Sequence, residues 1–159
     1  MPSDRVPLEA SRPQIEVRPG SLRPADHTQV LEATILVRRR PDPAAGERIE
    51  KIMRGEAPPI AREQAAEVLG ASAEDIQHVS DFATQHGLRV VESSSEKRSV
   101  RVAGTVAQMQ AAFGVALGTS ETAGGRFLAY EGAIMIPLSL QEVIVGVLGL
   151  DQRPAARQP

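Results

Sequence analysis

Between Val30 and Arg39 the chain reads VLEATILVRR, with Leu31, Ala33, Ile35 and Val37 on every second position. That period of two predicts a strand with one buried face. PDP at 41–43 ends it, because proline has no N–H to give to a sheet ladder. GERIEKIMRG then predicts a short helix, with Glu47–Lys51 and Glu50–Arg54 in the favourable i,i+4 order. PPIAREQAAEVLG predicts another, closed by Gly70 as a left-handed cap. In SAEDIQHVSDFATQHG, Ser72 can cap the start, Glu74 and Asp75 suit the positive end, and Gly87 stops the helix. Its buried stripe is Ile76, Val79, Phe82 and Ala83.

Next come a strand in LRVVES, a turn at SSEK and a returning strand in RSVRVAG, with Val100 and Val102 inward. TVAQMQAAFG predicts a compact helix capped by Thr105, buried through Val106, Met109 and Phe113, and ended by Gly114. VALGTSE predicts a fourth strand. TAGGRFLAYEGAIMIP predicts a hairpin turning at Gly124–Gly125. SLQEVIVGVLG predicts a closing helix: Ser139 and Glu142 have capping-box spacing, and Leu140, Val143, Ile144, Val147 and Leu148 fall at i, i+3, i+4, i+7 and i+8. The fold class expected is α+β, a ferredoxin-like βαββαβ split sandwich with an antiparallel sheet, plus a C-terminal hairpin and helix. Helices would cover one sheet face and leave the other free.

Composition narrows the function. At 159 residues and 42% hydrophobic, the chain suits one domain with a real core. Its net charge of −2 argues against a nucleic-acid partner. It has no cysteine, so neither disulfides nor thiolate chemistry contributes. No apolar run approaches the ~20 residues that span a bilayer, so no membrane partner is expected. Residues 1–28 hold several prolines and scattered charges, without the apolar core of a standard signal peptide, and read as a flexible leader.

Candidate chemistry is sparse. His78 and His86 stand eight positions apart on one helix, too far to share a metal, and His27 lies in the leader. The LGTSE segment places Ser120 in a strand rather than a strand-to-helix elbow, with no histidine near it in sequence. AGGRF is a hairpin turn, not a phosphate loop. RRRPD is a solvated strand end or, more sharply, a docking patch for an acidic partner. An acylphosphatase-like site needs an asparagine, and the chain has none. An RNA-recognition sheet stacks bases on aromatics. Phe82 and Phe113 belong to helices here, which leaves Phe127 and Tyr130 in the late hairpin.

Taken in order, HVSDFATQHGLRVVE, VRVAGTVAQMQAAFGVAL and GGRFLAYEGAIMIPLSLQEVIVGVLGLDQRP carry a recognisable pattern. It consists of F-A-x-x-H-G-L closing a helix, G-T-V-x-x-x-x-x-A-F-G-V, a G-x-x-Y/F hairpin with a V/I-P step, and V-L-G-L-D-x-R-P. ILVRRR fits the first strand and its basic end. The chain resembles the pro-kumamolisin activation domain, the propeptide of the sedolisin family of serine-carboxyl peptidases. The resemblance covers roughly residues 30–156.

It implies a division into the leader 1–28, an activation domain 29–150, and residues 151–159 as the start of a linker to a subtilisin-like catalytic domain. The family's catalytic Ser, Glu and Asp and its calcium site belong to that later domain. Catalytic residues, cofactors and metals are therefore expected to be none in this chain, and Ser120 is not the nucleophile. The implied role is chaperone and inhibitor of the catalytic domain, in cis or in trans, until autocatalytic removal at low pH. The implied setting is a secreted, extracellular precursor. Phe127, Tyr130, Glu121, Glu131 and Asp151 are the expected protease contacts, and Arg153, Pro154 and Arg157 lead toward the cleavage region. The alternative is a stand-alone ferredoxin-like interaction or regulatory domain. Reading the gene beyond codon 159 separates the two.

Overall fold

The computed structural model describes residues 4–13, 17, 20–41, 43–61, 69–122 and 125–153. Within them the chain forms β1 (Arg5–Leu8), β2 (Arg23–Pro24), β3 (Val30–Val37), α1 (Pro43–Met53), α2 (Ala73–Gln85), β4 (Arg89–Ser94), β5 (Ser99–Thr105), α3 (Val106–Phe113), β6 (Leu117–Thr122), β7 (Gly125–Tyr130), β8 (Ile134–Pro137) and β9 (Ile144–Leu148). The helix expected in PPIAREQAAEVLG falls largely outside the described residues.

The central sheet has the order β4-β5-β3-β9, and each neighbour runs antiparallel. Numbered among themselves in chain order, these four strands stand 2-3-1-4, the split βαββαβ arrangement. Alternation works as read: Leu31, Ala33, Ile35 and Val37 of β3 are buried, as are Val100 and Val102 of β5. They meet Val79, Phe82 and Ala83 of α2 and Val106, Met109 and Phe113 of α3 in one core. The Phe82 and Phe113 rings meet edge-on at 6.0 Å.

Both helices start as their sequences dictate. Ser72 accepts from the Asp75 N–H at 3.0 Å. Thr105 and Gln108 form a reciprocal capping box. The Arg38 guanidinium reaches the buried Asp75 carboxylate at 2.8 Å and ties the end of β3 to the start of α2. The hydrogen bond to Asp75 holds the Arg38 pKa above its ordinary value.

Two expected elements differ. VALGTSE does not supply the sheet's fourth strand. It forms β6, which belongs to a separate β2-β6-β7 sheet with the hairpin partner β7. The closing helix is absent from the described residues 138–150. Leu138–Leu140 make one 3-10 turn, and Ile144–Leu148 form β9 beside β3, with Thr34 opposite Leu148 and Ile35 opposite Val147. Val143, Ile144, Val145 and Val147 are all β-branched, and the free edge of β3 offers them a ladder a lone helix lacks.

The leader also differs from a flexible arm. β1 pairs with β8, and β2 pairs with β6. Leu8 and Ala25 join the core, because short apolar residues between the prolines find open strand edges.

Candidate functional site

Residues alternate across a strand, so Glu32, Thr34 and Leu36 of β3 point away from the helices. This outer sheet face has two zones. Over β4 and β5, Arg101 meets Glu32 at 3.6 Å and Glu92 at 3.5 Å, and Lys97 meets Glu92 at 3.5 Å. Exposed pairs of this kind contribute about 0–1 kcal/mol each, so they set the charge pattern of the face more than the stability of the fold. Over β3 and β9 the face turns apolar. Leu36 stands beside Gly146, and Leu148 beside Thr34. Leu148 is 57% exposed, and the bulge between Leu36 and Val37 goes with a 45% exposed Val145.

After β9 the chain turns through a built corner at residues 149–153. Gly149 takes φ +104°, and a Cβ there would lie 2.8 Å from the Glu32 carbonyl oxygen. Leu150 is buried. The Gln152 N–H donates to the Leu128 carbonyl at 2.8 Å. Asp151 accepts from the Arg153 main chain at 3.1 Å and from its guanidinium at 3.0 and 2.7 Å. The hydrogen bonds to Asp151 raise the Arg153 pKa above its ordinary value and keep it charged. Gly149, Leu150, Asp151 and Arg153 are the G-L-D-x-R of the closing motif, so each of its named residues has a physical task.

The leader meets this corner. The Tyr130 hydroxyl donates to the Ser11 carbonyl oxygen. Ser11 donates in turn to the Leu8 carbonyl and accepts from the Ile134 N–H at 2.8 Å. Burial raises the Tyr130 pKa, and the Asp151 charge raises it further.

The expected contact residues are therefore scattered. Tyr130 is buried in the core and offers no docking area, while Phe127 is half-buried on β7. Glu121 is exposed and paired with Arg126 at 3.0 Å, with Arg23 at 4.0 Å. Glu131 accepts from the Gly20 N–H at 3.2 Å. Only Tyr130, Asp151 and Arg153 come together, at the exit corner. Pro154 and Arg157 lie outside the described residues. Ser120 lies on β6 opposite Phe127. Sequence reasoning missed Leu148 and Val145 by placing them on a helix, and it missed Ser11 altogether. The β-branched run at 143–147 was the available signal for the first two; nothing local marks Ser11.

An antiparallel α+β domain whose described residues leave one sheet face exposed, beside a fastened corner at 149–153, is the class that the geometry defines. The family described as pro-kumamolisin, activation domain, matches residues 20–153. The chain belongs to that family, the propeptides of sedolisin-type peptidases. It is 34% identical over 98 residues to kumamolisin from Bacillus sp. (strain MN-32), a stretch that covers 62% of this chain and 18% of that protein. The matched stretch thus spans under a fifth of the length of that relative.

Proposed function

We propose that this domain is the prosegment of a secreted serine-carboxyl peptidase precursor, acting as folding chaperone and inhibitor of a subtilisin-like catalytic domain. The observation that carries the reading is the outer sheet face, with a charged zone beside an apolar strip, next to an exit corner that fixes where the following chain departs. The apolar strip supplies a dry centre and the ion pairs a polar rim, the usual anatomy of a specific interface. A standard interface needs roughly 800 Å² on each side, an area that a four-stranded sheet face can provide. The chain leaving Arg153 would then run along the catalytic cleft and present the bond for self-cleavage. Calcium belongs to the catalytic domain in this reading.

Acid release follows from the carboxylates. Glu32 and Glu92 build the charged zone of the face through Arg101 and Lys97, and losing their charge would undo those contacts. Glu121, Glu131 and Asp151 have partners inside the chain, so they serve the prosegment's own fold rather than the docking face.

The test adds the chain to the mature peptidase of its own precursor and follows peptide hydrolysis from about pH 7 to about pH 3. Tight inhibition near neutrality that weakens steeply in acid is the expected result. No inhibition at any pH would favour a stand-alone interaction domain.

A further inference from the structure

Arg5 reaches from the leader to the far end of α3. Its Nη1 donates to the Ala112 carbonyl at 2.7 Å and to the Met135 carbonyl at 3.2 Å. Its Nη2 donates to the Ala111 carbonyl at 3.1 Å and meets His86 Nε2 at 3.2 Å. His86 Nδ1 lies 3.0 Å from the Phe82 carbonyl oxygen. A carbonyl can only accept, so the hydrogen-bond network assigns the ring proton to Nδ1 and leaves Nε2 as an acceptor for Arg5. Gly114 makes room for this. It ends α3 at φ +58°, and a Cβ there would sit 2.8 Å from the Met135 Cβ and 3.4 Å from Arg5 Nη1.

We propose that Arg5 and His86 form an acid-released clasp holding the leader strand to the domain. A proton on Nε2 removes the acceptor and sets imidazolium against guanidinium, so acid favours the undocked leader. The surroundings set the balance. Asp4 on the leader and Asp81 on α2 line the same groove and offset part of the repulsion. His78 on α2 lines the groove as well, and a proton on it would add to the repulsion. α3 and β8 present main-chain carbonyls to Arg5, and the turn 138–140 has no titratable side chain. Once Arg5 lets go, the β1–β8 pairing loses one of its side-chain anchors, and the last carbonyls of α3 lose a donor. Arg5 precedes the family-matched residues 20–153, and His86 is the histidine of the F-A-x-x-H-G-L motif within them. The clasp stands without reference to any peptidase partner.

The test is hydrogen exchange on the full chain at about pH 7.5 and about pH 5, corrected for the intrinsic exchange rate, a span that brackets imidazole titration. Protection in peptides covering residues 4–12 and 131–138 should fall about tenfold or more in acid, while β5 keeps its protection. His86→Gln retains an acceptor oxygen and does not titrate, so it should hold the leader at both pH values. Arg5→Ala should leave the leader unprotected at both. Three outcomes would overturn the clasp: a leader indifferent to pH, an equal acid loss in His86→Gln, or loss in β5 alongside the leader.

Discussion

The two faces of the central sheet are cut from the same four strands and obey different rules. The inner face is a closed packing problem. Ile35, Val100 and Val102 have no exposed surface and belong to the core that α2 and α3 share. Removing such groups leaves a cavity that the structure fills only in part. Among the described residues the outer face is exposed and mixes three basic-acidic contacts with an apolar strip. The inner residues hold the fold, and the outer residues are free to serve a partner. In one pleat, a step of one residue separates the two tasks.

Perturbations can break that comparison, and their expected effects on stability are graded. Ile35→Ala on the inner face should cost about 2–4 kcal/mol in a denaturant melt. Gly149→Val, at the corner where the two faces meet the exit, should cost about 2–3 kcal/mol through the Glu32 carbonyl clash and the positive φ. Asp151→Ala should cost about 1–3 kcal/mol, because it removes the carboxylate that accepts from the mostly buried Arg153 guanidinium. Tyr130→Phe should cost about 1 kcal/mol by leaving the Ser11 carbonyl without its donor. Arg101→Ala, on the outer face, should stay within about 0.5 kcal/mol. A loss there as large as that of Ile35→Ala would erase the distinction between the faces.

Tyr130 sharpens the same picture spectroscopically, since it is the chain's one tyrosine. Burial first, and then the Asp151 charge, push its pKa up. The fold therefore favours the neutral phenol. That contribution is present below the ordinary value of about 10 and lost as pH rises through the higher folded-state value. Phenolate absorbance should appear later than in the unfolded chain, and Asp151→Asn should bring it earlier.

Over β3 and β5 the helix-covered face was legible in the sequence. β3 alternates cleanly, Val100 and Val102 of β5 point inward, and α2 and α3 carry their own caps at Ser72 and Thr105. β9 was not legible as a strand. S-x-x-E spacing and apolar residues at i, i+3 and i+4 describe a helix just as well, and only the unpaired edge of β3 decides between them. The leader strands were hidden for a related reason: β1 is stable only against β8, some 130 residues away, and no local signal records that pairing. The closing motif was legible as a signature, but its chemistry was not. The Gly149 corner and the Asp151–Arg153 pair emerge only when β3 and β7 are beside them.

The central claim is that the outer face, and not the aromatic hairpin, docks the peptidase. The direct measurement is inhibition of the mature peptidase near neutral pH by Leu148→Asp, with melting followed in parallel. Leu148 is mostly exposed, so the melt should stay within about 0.5 kcal/mol of the parent chain. A buried carboxylate in the apolar strip should weaken inhibition at least 100-fold, or about 2.7 kcal/mol. Undiminished inhibition by a folded Leu148→Asp chain, with Phe127→Ala abolishing it instead, would contradict the account.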